Sequence, residues 1–347
     1  MRNILLTGGS GAVGQEVLLQ LCSLRDDLKI TVFDKKSRAS EAFYRKIKVP
    51  IRLIYGDISI KEEICHACRD QDIVIHLAAV IPPLADRRPD LAEAVNVNGT
   101  RNLIESLEKS SPKAFLIYSS SVSVYGDRLK DPWIKTTDNL SPSDRDEYAR
   151  TKIKAEKLIQ QSRIRWAIFR LTAIMGADNH KPSPLMFHMP LDTCIEIATP
   201  ADTGRAFINA LDHIDEIEGR IFNLSGGEKC RILYRDLLSR SFEIMGLGPL
   251  DFAEGAFADR NFHCGYYSDA DILENIIKFR HDTIDDYFAL VRTSVSATKK
   301  IAAVLLRRLI KKSLENKSEP LAALKSRNES DMSHFFTRPA ISYLIRE

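Results

Sequence analysis

The chain has 347 residues, a formal net charge of +3, and 44% hydrophobic and 28% charged residues. This length allows one large core or two domains, and no apolar run is long enough to predict a membrane span. The charge is uneven, because residues 296–347 hold 11 Lys/Arg and 5 Asp/Glu. The remaining body is near neutral, which argues against a nucleic-acid-binding protein. A strand predicted from residue 3 leaves no room for a signal peptide, so we expect a cytoplasmic location.

The six cysteines are dispersed, which fits a reducing compartment better than a disulfide framework. Cys65 and Cys68 are spaced like half of a metal site, but no second pair lies nearby. The segment 60–69 is predicted to be helical. We therefore interpret both cysteines as core residues and predict no metal site.

The first motif is a glycine-rich turn from Thr7 to Gly14, between a short apolar run and a helical pattern. In this setting Gly8 permits a sharp turn, Gly11 permits close approach of a pyrophosphate, and Gly14 permits close packing of helix on strand. The N–H groups at the helix start then face the phosphates. The turn predicts dinucleotide binding, with an ordinary strand-to-helix turn as the alternative.

The next predicted strand, residues 29–34, ends in Asp34, twenty residues after Gly14. A carboxylate at this position accepts hydrogen bonds from the ribose hydroxyls of NAD and repels the extra phosphate of NADP. Lys35, Lys36 and Arg38 follow and would soften that preference, and Asp34 could also simply end the strand. We predict NAD, with NADP less favoured.

Two further strands are predicted at residues 51–55 and 72–79. Asp57 follows the first of them, where it could meet the adenine amino group or cap the next helix. In the second, we interpret His76 as a packed histidine. The small Ala78 and Ala79 leave room for a flat cofactor to cross the strand ends.

A helix over about 91–108 and a strand over 113–118 come next, and the strand leads into a serine-rich segment. Tyr148 and Lys152 follow, four residues apart and so on one face of a helix. A neighbouring ammonium and a cationic nicotinamide would lower the pKa of Tyr148. Tyr148 could then exchange a proton with a substrate hydroxyl or carbonyl while hydride moves to or from the cofactor.

In this order, the motifs resemble the extended short-chain dehydrogenases/reductases of the NAD-dependent epimerase/dehydratase family. The resemblance implies that Ser121, five residues before Gly126, acts with Tyr148 and Lys152 as a catalytic trio. It also implies cofactor contacts from fifteen residues: Gly8, Ser10, Gly11, Ala12, Val13, Gly14, Asp34, Asp57, Ile58, Leu77, Ala78, Ala79, Asn96, Tyr148 and Lys152.

Departures from the family pattern bear on the substrate. Val122 and Ser123 stand where related sugar dehydratases have acids, and residues 171–173 lack the asparagine typical of sugar-nucleotide epimerases. The connection 176–202 is also short. These features favour hydride transfer to or from a smaller or more apolar substrate. The pocket candidates, which could equally be core residues, are Met175, Met186, Phe187 and Met189.

We therefore predict an α/β fold with a Rossmann-type doubly wound parallel sheet over residues 1–175, which carries the Ser-Tyr-Lys site. A smaller substrate-binding region would span 176–295, and a basic helical tail 296–347. The expected function is an NAD(P)-dependent oxidoreductase acting on a small molecule. The alternatives are a nucleotide-sugar epimerase without net NAD turnover and a non-catalytic nucleotide-sensing module. The resemblance implies a homodimer built on the helices that carry Asn96 and Tyr148.

The tail contains an amphipathic helical pattern. One side gathers Ala302, Leu305, Leu306, Leu309 and Ile310, and the opposite side gathers Lys300, Arg307, Arg308 and Lys311. We favour docking of the apolar side on the protein body or on a second subunit. The alternative is a weak contact with an anionic membrane surface.

Overall fold

The computed structural model describes residues 2–24, 28–176 and 182–337. In these ranges the strands are β1 (Arg2–Thr7), β2 (Leu28–Asp34), β3 (Arg52–Tyr55), β4 (Ile73–His76), β5 (Phe115–Ser121), β6 (Trp133–Ile134), β7 (Arg165–Leu171), β8 (Ala173–Ile174), β9 (Cys194–Ala198), β10 (Arg220–Leu224), β11 (Arg231–Leu233) and β12 (Tyr266–Tyr267).

The α-helices are α1 (Ala12–Leu24), α2 (Arg38–Tyr44), α3 (Lys61–Cys65), α4 (Leu84–Arg87), α5 (Pro89–Ala92), α6 (Gly99–Ser110), α7 (Glu147–Gln161), α8 (Pro200–Asn209), α9 (Ile214–Ile217), α10 (Tyr234–Met245), α11 (Asp271–Ile277), α12 (Ile284–Ser294), α13 (Ala297–Glu315), α14 (Glu319–Ser326) and α15 (Glu329–Phe335). A π-helical segment, Glu93–Asn98, joins α5 to α6. Short 3₁₀ helices occur at Val122–Tyr125, Pro184–His188, Ala210–Asp212 and Glu228–Cys230.

Seven strands form a parallel sheet in the order β10-β7-β5-β4-β1-β2-β3. The chain runs outward from β1 through β2 to β3, then returns beside β1 and continues outward through β4. Their carboxyl ends share one edge, and the change of direction between β1 and β4 opens a crevice there. The predicted doubly wound sheet is confirmed.

Helices cover both faces of this sheet, which explains why the strands are apolar throughout. The central residues of β1, Ile4, Leu5 and Leu6, are all completely buried. Ile4 and Leu6 pack in the cluster that includes α1 and α8, whereas Leu5 packs in the cluster that includes α6 and α7. A strand buried on both sides needs apolar residues at every position rather than at alternate ones.

The C-terminal half of the chain also contributes to the sheet. β10 extends it beside β7, and α8 packs against α1. A segment that the sequence assigned to the substrate-binding region therefore completes the nucleotide-binding sheet. The remaining elements form a smaller lobe around α10, with an apolar cluster that includes Phe187, Phe242 and Tyr287.

The cysteine segment differs from the prediction in one respect. α3 ends at Cys65 and a turn follows, so the helix is shorter than the predicted 60–69. Cys68 is fully buried, but Cys65 is only half-buried, and the expectation of two core cysteines is wrong for Cys65. Within the described ranges, no group of three or more His, Cys, Asp or Glu residues is arranged to hold a metal ion.

The tail forms three helices, α13 to α15. α13 contacts the smaller lobe through Ala303, Ile310 and Leu314. Leu305 and Leu309 of the predicted apolar side are instead 78% and 69% exposed. Docking of this side on the protein body, one half of the favoured prediction, is therefore wrong for most of its residues, whereas docking on a second subunit stays a prediction. Among the described helices, none is both long and apolar enough to cross a bilayer.

Candidate active site

The glycine-rich turn adopts the geometry expected of a phosphate-binding loop. Gly8 has φ +74°, and a Cβ there would lie 2.7 Å from the backbone nitrogen of Ala78. At Gly14 a Cβ would overlap the carbonyl oxygen of Gly8. Gly11 is unconstrained on the protein side, since a Cβ would meet only that oxygen, at 3.4 Å. Because Gly11 has no side chain, the space before the start of α1 stays open. There the unpaired N–H groups of a first helical turn can bind an anion.

Asp34 lies at the end of β2 and is tied to this turn. Its Oδ2 accepts hydrogen bonds from the Ser10 backbone N–H at 2.8 Å and from the Tyr44 hydroxyl at 2.5 Å. Burial and the Asp34 carboxylate raise the pKa of Tyr44, so the hydroxyl stays protonated and donates. The sequence analysis missed Tyr44, which fixes the acid from α2.

The basic residues after Asp34 lie near other carboxylates. Lys35 Nζ is 3.9 Å from Asp57 Oδ2, and Lys36 Nζ is 3.6 Å from Glu41 Oε1. Both lysines are well exposed, so these pairs are weak. The two carboxylates nevertheless offset part of the positive charge that Lys35 and Lys36 would offer to an NADP phosphate. The surroundings of Asp34 therefore fit NAD better than NADP.

Asp57 and Ile58 follow β3. Asp57 accepts hydrogen bonds from the Ser59 N–H at 2.9 Å and the Ser59 hydroxyl at 2.6 Å, and the Ser59 hydroxyl lowers the pKa of this carboxyl group. The N-cap position of α3 is Ile60, without a side-chain cap, so the predicted capping role of Asp57 is wrong. Ile58 is 5% exposed and packs against Gly99, which leaves mainly its backbone for a cofactor contact.

The end of β4 is built around a buried histidine, as predicted. His76 Nδ1 lies 2.7 Å from the Thr7 hydroxyl, and Nε2 lies 3.0 Å from the Thr100 hydroxyl. Burial lowers the pKa of His76 to about 3, so the ring is neutral at physiological pH. Leu77, Ala78 and Ala79 follow at the sheet edge and are each half-buried.

Asn96 lies in the π-helical segment and is 1% exposed. Its Oδ1 accepts from the Val80 N–H at 2.7 Å, while Nδ2 donates to the Val80 carbonyl and the Thr151 hydroxyl, each at 2.9 Å. The side chain thus joins the loop after β4 to α7. Asn96 would therefore position the loop for contact with the cofactor. The predicted direct contact between Asn96 and the cofactor stays a prediction.

The structure brings together the three predicted catalytic residues. Ser121 ends β5, and its side chain hydrogen-bonds with Tyr148 near the start of α7. Lys152, one turn further, lies with Nζ 5.6 Å from the centre of the Tyr148 ring and donates to the Ser119 carbonyl at 2.7 Å. The N-terminus of α7 is held by Asp86 of α4, which accepts from the Tyr148 N–H at 3.3 Å.

The predicted lowering of the Tyr148 pKa is wrong for the chain by itself. Burial raises the pKa of Tyr148, and this outweighs the hydrogen bond from Ser121, which lowers it. Burial also lowers the pKa of Lys152 to about 7, opposed by the Glu156 charge. At neutral pH Tyr148 is therefore a protonated acid, and Lys152 can exchange between charged and neutral forms.

The sequence analysis also missed a buried ion pair behind the catalytic helix. Arg170 of β7 meets Glu156 of α7 in a bidentate pair, Nε–Oε1 at 3.0 Å and Nη2–Oε2 at 2.8 Å. Ser120 donates to the same carboxylate at 2.5 Å, and Arg170 Nη1 donates to the Tyr125 hydroxyl at 2.8 Å. The only sign of this ion pair in the sequence was Glu156, which lies eight residues after Tyr148 and therefore on the same buried face of the helix.

A cavity of about 920 Å³ lies between the sheet edge and the smaller lobe. It reaches Asp146, two residues before Tyr148, and the loop at Pro82 and Pro83 after β4. Three of the four predicted pocket residues, Met175, Met186 and Met189, line it, whereas Phe187 is a fully buried core residue. The lining also includes Tyr234, Leu237, Leu238 and Phe242 of α10, together with residues of α14 and α15.

Comparison with known proteins shows what the chain is similar to. Solved structures share its fold at low identity. A Bacillus cereus UDP-glucuronic acid 4-epimerase, in complex with UDP-glucuronic acid and NAD, has a TM-score of 0.69 and 19% identity, over 84% of this chain and 98% of that one. A short-chain dehydrogenase/reductase superfamily protein from Agrobacterium tumefaciens with bound NAD has a TM-score of 0.63 and 19% identity, over 88% and 100%. At this identity the likeness shows a shared fold, and it agrees with the resemblance to the extended short-chain dehydrogenases/reductases seen in the sequence.

Within this class, residues 5–166 match the model of the 3-beta hydroxysteroid dehydrogenase/isomerase family. Human 3 beta-hydroxysteroid dehydrogenase type 7 is 32% identical over 127 residues, which is 36% of this chain and 34% of that protein. D-erythronate dehydrogenase from Haemophilus influenzae is 29% identical over 140 residues, 39% of this chain and 42% of that protein. The matches span between a third and a half of the length of these curated relatives.

Proposed function

We propose that the protein is an NAD-dependent oxidoreductase that interconverts a carbinol and a carbonyl group on a bulky, mainly apolar small molecule. The observation that carries the proposal is the cluster of Ser121, Tyr148 and Lys152 at the carboxyl edge of the sheet, with the 920 Å³ cavity reaching Asp146, two residues before Tyr148. Relatives named as dehydrogenases and NAD-containing structural neighbours support it.

In this mechanism the bound nicotinamide supplies or accepts the hydride. In reduction, the Tyr148 hydroxyl donates its proton to the substrate oxygen while the carbonyl carbon receives hydride. The Ser121 hydroxyl holds the same oxygen. Lys152, held by the Ser119 carbonyl, would orient the nicotinamide ribose and, when charged, stabilise the tyrosinate left on Tyr148.

The cavity lining favours an apolar substrate over a sugar nucleotide. A diphosphate needs cations to pair with, and two of the three arginines that line the cavity are already near carboxylates. Arg145 lies 2.9 Å from Asp331, and Arg87 lies 4.0 Å from Glu319. The thioether and aromatic side chains of the cavity suit a rigid hydrophobic body, of the kind that a hydroxysteroid presents.

One buried polar atom at the cavity is available for substrate. Ser143 is 6% exposed, and its hydroxyl has no hydrogen-bond partner among the described residues. A buried hydroxyl without a partner is costly, so a ligand atom that pairs with it would gain specificity. We therefore propose that Ser143 contacts a polar group on the otherwise apolar substrate.

The test is nicotinamide absorbance in assays with a hydroxysteroid, D-erythronate and UDP-glucuronic acid as candidate substrates. Tyr148→Phe keeps the ring and removes the exchangeable proton. We expect NAD(H) binding to be unchanged and turnover to fall by about two to four orders of magnitude. Tyr266→Phe, which removes a hydroxyl in β12, serves as the matched control and should retain turnover.

Epimerisation leaves no net change in nicotinamide, so chromatography of the sugar nucleotide is used to detect it; conversion of UDP-glucuronic acid to an epimer in preference to turnover of the apolar substrate would favour the epimerase alternative. Normal turnover by Tyr148→Phe would refute the acid–base assignment. Tight NAD(H) binding without turnover of any candidate would favour the nucleotide-sensing module.

We further propose a cytoplasmic homodimer formed through the helices that carry Asn96 and Tyr148, namely the π-helical segment Glu93–Asn98 with α6, and α7. Sedimentation equilibrium distinguishes one 39.2 kDa chain from two. A monomeric mass at micromolar concentration would refute this assembly.

A further inference from the structure

α13 presents its apolar row to solvent rather than to the protein. Ile301, Leu305 and Leu309 follow each other at i, i+4 and i+8 and are 62%, 78% and 69% exposed. Leu306, on one side of this row, is 49% exposed. Residues at this spacing lie one above another on a helix, so they form a continuous ridge.

The orientation of the helix follows from contacts on its other side. Lys311 is buried and forms an ion pair with Asp251, and its Nζ also lies 3.3 Å from the Pro249 carbonyl. Leu314, 9% exposed, packs in the core of the smaller lobe. Together with Ala303 and Ile310, these contacts hold the helix by the side opposite the ridge, which leaves the leucine ridge facing outward.

Cations flank the ridge on both sides. Lys299 lies beside Leu306 on the helical wheel, and Arg308 lies beside Ile301 on the other side; both are exposed. The one acid of α13, Glu315, is engaged by Lys312 at 2.8 Å and by the Ala253 N–H at 2.9 Å. An apolar ridge between cations suits the boundary between acyl chains and anionic headgroups.

We propose that α13 docks the protein on an anionic membrane surface, with Leu305 and Leu309 inserted among the lipids and Lys299 and Arg308 at the headgroups. The proposal is independent of the catalytic assignment, because it concerns a surface away from Tyr148. It takes up the alternative of the sequence interpretation, which favoured the protein body or a second subunit as the cover for this side.

The charges argue against a second copy as the cover. A two-fold dimer would place this face against itself, and the flanking side chains are cationic on both sides. Like charges would then meet around an apolar centre, which costs free energy at low salt. An anionic surface neutralises the same cations.

Co-sedimentation of the full chain with phosphatidylcholine vesicles, with and without phosphatidylserine, tests the proposal. We expect binding only to the anionic vesicles and release at high salt. Lys299→Gln/Arg308→Gln should weaken binding about thirtyfold, at about fivefold per charge. Leu305→Glu/Leu309→Glu should weaken it by at least about a hundredfold. Ile272→Glu, at an apolar residue of α11 with 47% exposure, should bind as the wild type does.

Circular dichroism confirms that each variant is folded, which these exposed positions should permit. The proposal is overturned if the wild type ignores anionic vesicles at low salt, or if Leu305→Glu/Leu309→Glu binds normally. It is also overturned if the wild type is a dimer that this double variant dissociates, because a second copy then covers the ridge.

Discussion

The buried pair between Arg170 and Glu156 provides a quantitative test of how the catalytic helix is held. The two side chains are 3% and 0% exposed, and they join β7 to α7 one turn beyond Lys152. Arg170→Met keeps much of the arginine volume but leaves the Glu156 carboxylate with the Ser120 hydroxyl as its remaining partner from this network. An uncompensated buried charge is among the costliest single defects in a folded protein.

We expect Arg170→Met to lower the free energy of unfolding by about 3–5 kcal/mol. At about 2 °C per kcal/mol for a chain of this size, Tm should fall by about 6–10 °C. The double variant Arg170→Met/Glu156→Leu removes both charges and should recover at least half of the loss.

Calorimetry of the purified variants measures these differences. Arg165→Met is the matched control, because Arg165 lies on the same strand and pairs at the surface with Glu218 at 2.6 Å. An exposed pair contributes about 1 kcal/mol or less. If Arg170→Met cost no more than Arg165→Met, the buried pair would not be what secures α7 to the sheet.

Three further results are expected. Lys152→Met should be more stable than the wild type at pH 7 and below. Burial lowers the pKa of Lys152 to about 7 from 10.5, so between these values the unfolded wild-type chain binds more protons than the folded one. Denaturation at pH 7 and at pH 9 should therefore show that the stability advantage of the variant shrinks as pH rises. Calorimetric titration should show tighter binding of NAD(H) than NADP(H), and NADP(H) binding tenfold tighter, about 1.4 kcal/mol, would refute the role of Asp34. A chain ending at Arg292 should retain NAD(H) binding but lose thermal stability. It lacks Leu314, and it lacks the buried Ser318 hydroxyl that donates to the Ala256 carbonyl at 2.6 Å. An unchanged Tm would show that the tail is not part of the folded lobe.

Local sequence was sufficient for the nucleotide-binding half of the molecule. The order of apolar runs predicted β1, β2, β4 and β5, and the glycine spacing predicted the turn at Gly8 and Gly14. These features depend on backbone sterics and on periodicity along one segment. The pairing of Tyr148 with Lys152 likewise follows from helical spacing alone.

Tertiary packing decided the properties that depend on distant segments. Tyr44 reaches Asp34 across ten residues, and Arg170 reaches Glu156 from another strand, so neither contact has a local signature. The direction of the Tyr148 pKa shift depends on how fully the fold removes water from that hydroxyl. The side of α13 that faces solvent could not be predicted either, because an amphipathic pattern shows that a helix has two sides but not which side the protein covers. Contacts of Lys311 and Leu314 with the smaller lobe determine the orientation of α13, since the burial of these two side chains fixes which side of the helix faces the lobe.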